Sequence, residues 1–441
     1  MNSVATMNEK SIIEGSSHEN NGKMSIISKI CLSAIFVCAL LTGFVPQLYL
    51  SLFVIFACVP MMGTKDIYLV YPIMLFYYAH FGMLFGLSVY RLFTFMFLIS
   101  VFIYNRNIKF KLNQLLPFAV FLFYCLIVIV PYNVRQSFFA IVDLFCILVL
   151  INTYLKDTSS VKKFFKIYVL ISLVAYVTGM NSENVLESSI QINGKWVDIS
   201  RNLATFEDPN YMGFFYTVGI FAMTSLRLFN PKVRVGLIAV LYYMILSSIS
   251  FTALVVNALL WILYFVLAKK LTLKVFLGFI GVALVLYGLY LYGMNNPDSK
   301  VFGAFFYRIS EKTNSFVSDD LSDVTSGRLG LAAEHMNFFL NQPIYRMLVG
   351  LNAASTLKTD LNGSGVAGHN EYVDMLLNIG IIGTVIMMSF IISRCVNVYR
   401  RYASYRDEKD ACILLCKFAW LAYATTLTVF GDFRFMLTFF I

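Results

Sequence analysis

"FTALVVNALLWILYFVLAKK" occupies residues 251–270 and decides the fold. From Thr252 to Ala268 no residue is charged, and Lys269 and Lys270 follow at once. Roughly 17 to 25 apolar residues cross the hydrocarbon core of a bilayer, and lysines just beyond such a run hold that end on the cytoplasmic side. Immediately upstream, "SSISFT" (247–252) is an uncharged turn that joins this run to another. Two apolar runs, an uncharged turn between them and a basic turn after them are the repeating unit of a chain that crosses a membrane many times.

The same reading extends in both directions. Apolar runs lie near 27–45, 47–62, 66–83, 87–104, 114–131, 136–154, 163–180, 206–226, 235–251, 252–268, 272–293, 370–393 and 411–430. The expected fold class is an all-α polytopic membrane protein with about 12–14 transmembrane helices. Residues 1–24 are polar, lack the apolar core of a secretory signal peptide, and read as a flexible cytoplasmic tail. Residues 25–441 then form a single membrane domain. The final "FRFMLTFFI" (433–441) is too short for a span and reads as a half-buried tail.

Composition agrees. Of 441 residues, 59% are hydrophobic and only 13% charged, about half the charged share of a soluble domain. The net charge of +10 does not point to nucleic acid. Its basic residues sit in short loops between apolar runs, and no basic-aromatic groove is present. All eight cysteines lie in apolar runs or at their ends, so neither a disulfide framework nor zinc-type spacing is implied.

Basic residues cluster in alternate connections. Arg106, Lys109 and Lys111 form the first cluster, and Lys156, Lys162 and Lys163 the second. Arg227, Lys232 and Arg234 follow, then Lys269, Lys270 and Lys274, and finally Arg394, Arg400, Arg401, Arg406 and Lys409. These five share one side, the cytoplasmic one if the N-terminus is cytoplasmic. Two longer segments, about 181–205 and 294–368, are then extracytoplasmic. The second is too long for a turn, and long loops tend to carry function.

Three motifs fall on that outer side. "SRNLATFEDPNYMGFF" (200–215) brings Arg201 close to a helix start, with Asp208 as N-cap and Pro209 at the first helical position. "DVTSGRLGLAAEHMNFFLNQP" (323–343) repeats Leu329, Ala332, Ala333, Met336, Phe339 and Leu340 at helical spacing. It predicts a short amphipathic helix, stopped near Pro343, with Arg328 in its first turn. A cation there opposes the helix dipole unless an anion binds. "GHNEYVDMLLNIGIIG" (368–383) puts His369 at the mouth of an apolar run in which Gly380 and Gly383 offer a small face for helix packing. Taken singly, each motif also reads as an ordinary cap or an interfacial side chain. Together, two guanidiniums are suited to grip a diphosphate through paired hydrogen bonds, and an imidazole is suited to accept a hydroxyl proton. The set points to group transfer from a diphosphate carrier to an alcohol. No metal or cofactor is called for, because the arginines can neutralise the leaving group; His335 and His369 lack a metal-ligand cluster, and "SDDLSD" (318–323) reads as a solvated loop.

Carried by Arg201 with "FEDPN", Arg328 within "SGR" and "HNEY…GIIG" from His369, the chain resembles the O-antigen polymerase and O-antigen ligase superfamily over about residues 200–385. The first 180 residues match only as a hydropathy profile. The resemblance implies an inverting bacterial membrane glycosyltransferase of the GT-C type in the plasma membrane. It implies Arg201 and Arg328 on the diphosphate, His369 on the acceptor hydroxyl, and Asn210, Asn370 and Glu371 among the substrate-binding residues. The implied donor is an oligosaccharide on undecaprenyl diphosphate, and the implied partners are a repeat-unit flippase and a chain-length regulator. One departure stands out: Asn378 occupies a position that is often acidic, and it reads as packing. A polymerase of lipid-linked repeats is the favoured activity, because the large outer loop and divergent first half suit a substrate-specific enzyme. Ligation of glycan to lipid A-core shares the motifs. A flippase or other transporter is a third reading, but its ionisable groups belong inside the spans, where Asp143 is one of few.

Overall fold

The computed structural model describes residues 24–104, 119, 134–181, 185–192, 195–268, isolated positions between 272 and 295, 328–351, 370–427 and 433–440. These residues are mostly helical. Helices α1 (Ile26–Leu40) and α2 (Gln47–Met61) are followed by a 3-10 turn (Ile67–Val70) running into the short α3 (Tyr71–Phe76). Strands β1 (Met83–Leu84) and β2 (Leu87–Ser88) make a small hairpin ahead of α4 (Val89–Tyr104). Then come α5 (Val134–Val149) with a π-turn to Tyr154, α6 (Thr158–Asn181), and the antiparallel hairpin β3 (Val185–Ile192) with β4 (Lys195–Asn202). Helices α7 (Pro209–Ser225), α8 (Pro231–Ser247) and α9 (Phe251–Leu267) follow, then α10 (Arg328–Leu340) and α11 (Ile344–Val349). The chain ends with α12 (Glu371–Tyr405), α13 (Glu408–Tyr423) and α14 (Phe433–Phe440).

α7 forms the axis of the bundle. It is apolar all round and almost wholly buried, packed against α6, α8, α9 and α13, as expected of a helix with neighbours on every side. The outer helices show the opposite pattern. Ile30, Val37, Phe53 and Phe56 on α1 and α2 are exposed, as are Leu259 and Ile262 on α9 and Val385 and Ile386 on α12. Two helices, Thr158–Asn181 and Glu371–Tyr405, are long and apolar enough to cross a membrane.

Several expectations need revision. The run at 66–83 does not form one long helix. Its α-helix stops at Phe76, and the chain turns through Tyr77 and Gly82, where φ is +77°. Within the segment 181–205, whose conformation the sequence reading left open, residues 185–192 and 195–202 pair as antiparallel strands. "FRFMLTFFI" is no half-buried tail: Arg434 through Phe439 are all buried, as α14 inserts against α5 and α13. Gly380 does allow a close approach, of Leu348 and Gly350, but through a kink rather than along a regular helix face. At Gly380 the backbone turns to φ +65°, ψ −173°, and kinks α12. Gly383 packs against Ile379 of the preceding turn. The runs at 114–131 and 272–293 lie wholly or mostly outside the described residues, as does "SDDLSD".

Candidate functional site

Basic turns among the described residues meet at one end of the bundle; Arg106, Lys109, Lys111, Lys269, Lys270 and Lys274 lie outside the described residues. Lys162 lies 2.8 Å and Arg227 3.0 Å from Glu408, and the Lys409 ammonium donates to the Leu155 carbonyl at 2.7 Å. Arg406 donates to the Leu267 carbonyl at 3.0 Å. Connections that the sequence groups by charge alone are therefore in contact, although they are up to about 250 positions apart.

The described motif-bearing segments lie toward the opposite end, in two groups: β4 with the start of α7, and α10 with the start of α12. Asp208 caps α7, accepting from the Asn210 amide at 2.6 Å, and Pro209 opens the helix as expected. The Asn210 side-chain oxygen accepts from the Ser250 hydroxyl at 2.7 Å, tying α7 to the uncharged turn before α9. Arg201 stands near the end of β4, paired with Leu186. Three residues on, Ala204 lies so close to α6 that a Cβ on Gly179 would fall 2.3 Å from its carbonyl oxygen. The path from Arg201 to α7 is thus clamped against the end of α6.

α12 begins beside the end of α13. Asn370 is its N-cap, and its side-chain oxygen accepts from the Tyr372 and Val373 amides at 3.1 and 3.3 Å. The Glu371 amide donates to the Ala424 carbonyl at 2.9 Å, and Glu371 itself is only 2% exposed. His369 lies outside the described residues, next to this cap.

Arg328 is the first residue of α10, as its motif predicts. α10 packs on the opening turns of α12 through Ala332, Phe339, Val373 and Leu377, a small apolar cluster separate from the main core. His335 lies seven residues after Arg328 on the same helix. His335 is buried, with Nδ1 3.9 Å from the Asp374 carboxylate. That is too far for a hydrogen bond, and the contact is ionic only when the imidazole is protonated. Ala333 and Leu340, counted on the apolar face from sequence, are exposed.

α11 fixes the other side of this unit. Gly350, at φ +90°, lies against the kink of α12: a Cβ there would fall 2.4 Å from the Asn378 carbonyl oxygen. The Leu351 amide donates to the Leu377 carbonyl at 2.7 Å. Asn378 is buried at this junction, its side-chain oxygen without a hydrogen-bond partner among the described residues.

Sequence reasoning passed over three features. The hairpin before Arg201 had a strong signal in Asn193-Gly194 between alternating apolar residues. Asp143 is held in an ion pair with Arg91 at 2.5 Å and also accepts from the Tyr90 hydroxyl at 2.9 Å. Arg434, 6% exposed, lies over the rings of Tyr78 and Tyr211, 5.4 and 5.6 Å from their centroids. No local pattern announces either of the last two.

No protein-family model matches this chain, and no curated protein shows significant similarity to it.

Proposed function

We propose that this protein is a polytopic inverting membrane glycosyltransferase of the O-antigen polymerase kind. It transfers glycan from undecaprenyl diphosphate to a sugar hydroxyl of a second lipid-linked repeat, at the extracytoplasmic face of a bacterial plasma membrane. The observation that supports this reading is the placement of the described motif segments toward one end of the bundle. The strand bearing Arg201, the cap of α7, the helix begun by Arg328 and the start of α12 beside His369 all belong to the end opposite the basic turns. The outward apolar faces of α1, α2, α9 and α12 support a lipid setting. In this reading Arg201 and Arg328 bind the diphosphate and stabilise its charge as the glycosyl bond breaks. The acceptor hydroxyl attacks the anomeric carbon, and His369 takes its proton. Asn210, Asn370 and Glu371 shape the substrate cleft, the first two while also serving as helix ties. The Arg91–Asp143 pair weighs against the transporter reading, because the one acid singled out within the spans already has a neutralising partner.

The test is elongation of authentic lipid-linked repeats by purified protein, beside gel analysis of surface glycan from a deletion strain. The expected results are elongation in vitro and a strain that retains single repeats but loses the ladder. Failure to elongate, or full activity in both Arg201→Ala and Arg328→Ala, removes the proposal.

A further inference from the structure

His335 has no place in the mechanism above, yet it sits on α10, the helix that opens with Arg328. It is 5% exposed, and its Nδ1 is buried with no hydrogen-bond partner. A buried polar atom left unpaired costs free energy, so packing alone gives no reason for an imidazole here. The same Nδ1 stands 3.9 Å from a carboxylate oxygen of Asp374, in the first turn of α12. At that separation a neutral imidazole makes no hydrogen bond, whereas an imidazolium makes an ionic contact that salt screens little, because both groups are largely shielded from water. The apolar contact around the pair is small. Its buried residues are Ala332, Phe339, Val373 and Leu377, apart from the main core. One ionic contact then adds appreciably to what holds α10 there. The other charged side chains on the facing parts of these helices are Glu371, buried on α12, Glu334, exposed on α10, and Arg346, exposed on α11. Among the described residues, Asp374 is the charged group within ion-pair reach of His335. Histidine is the side chain whose charge changes between about pH 5 and 8.

We propose that His335 and Asp374 form a proton-operated latch that fastens α10 to the start of α12, which makes His335 a positioning residue for Arg328. A proton on the imidazole turns the contact with Asp374 into an ion pair and closes the latch. Without that proton the apolar cluster alone holds α10. Docking is therefore tighter at acid pH and looser as pH rises. The latch rests on the geometry of the two side chains; its link to substrate rests on the transferase reading, in which Arg328 grips the diphosphate. Turnover is a poor gauge of the pH dependence, since a histidine base such as His369 must be neutral to act. Hydrogen exchange reads the docking directly.

Purified full-length protein in phosphatidylcholine nanodiscs is labelled with deuterium at about pH 6 and about pH 8, and exchange is corrected for the intrinsic effect of pH. Protection of peptides from 328–340 should fall about threefold or more from the lower to the higher pH, while peptides from α7 keep theirs. His335→Gln and Asp374→Asn should each bring protection at the lower pH down to the wild-type level at the higher pH, and abolish the difference. Protection of 328–340 that is independent of pH in wild type overturns the latch, as does a pH step that survives in both variants. Should His335→Gln fail to fold, Asp374→Asn carries the same two outcomes. For the link to Arg328, elongation at the lower pH should show kcat/KM for the lipid-linked donor about threefold lower or more in the variants. A lost exchange step with unchanged kcat/KM overturns the positioning role. No elongation by wild type removes the transferase reading, while the exchange step still decides the latch.

Discussion

At the scale of single residues, the side chains with the clearest geometry are helix caps. Asp208 and Asn370 satisfy amide donors that their helices would otherwise leave open. If Asn370 serves only as a cap, Asn370→Ala should cost about 1 kcal/mol of stability, seen as a lower melting temperature, with turnover largely kept; a marked loss of turnover at normal stability would instead assign it to the substrate cleft. Arg328 differs. If it binds a diphosphate as proposed, its planar fork of two bonds is not replaced by an ammonium. Arg328→Lys should therefore lose most elongation and Arg328→Ala all of it, at normal membrane abundance. Arg346 is on an exposed helix in the same loop, and Arg346→Ala should elongate normally. For His369, loss of a general base costs roughly 10²- to 10⁴-fold. His369→Gln should show that loss in single-turnover elongation while donor binding persists; near-normal turnover would assign the proton to another acceptor.

At the scale of elements, the kink of α12 is the decisive feature. Gly380 adopts φ and ψ that are essentially closed to other residues, and Gly350 meets it with no room for a side chain. The contact docks α11 on α12, and α10 follows through the apolar cluster around Val373 and Leu377. Arg328 thus depends on a glycine more than fifty positions later in the chain. Gly380→Ala should cost about 1–3 kcal/mol and release α10 and α11 from α12. Limited proteolysis should show new cleavage between 340 and 351, and elongation should fall although no motif residue has changed. Unaltered protection and activity would mean that the docking does not position the site.

For the whole molecule, the division into a basic end and a motif end rests on contacts between distant turns. The sidedness of those ends in a membrane can be tested directly. In a cysteine-free background, cysteines at Ser188 and Ser318 should react with an impermeant thiol reagent in intact cells, and cysteines at Asn107 and Ser404 should not. The reverse pattern would put the motif end in the cytoplasm and detach it from any extracytoplasmic substrate.

The sequence by itself determined what depends on local pattern. Apolar runs with basic turns marked most of the helices, Asp208-Pro209 located the start of α7, and the spacing from Leu329 to Phe339 located α10. A hairpin was also written there, in Asn193-Gly194, though alternation in a polar loop drew less attention than apolar length. Tertiary structure alone decided the rest. That 66–83 breaks after Phe76, that α14 is buried, and that Gly380 kinks against Gly350 all depend on partners remote in sequence. So does the meeting of Arg434 with Tyr78 and Tyr211, drawn from three separate parts of the chain. Periodicity reports which face of a segment is apolar; it carries no information about which distant segment will cover that face, because that choice is made by packing shape and by the pairing of buried charges.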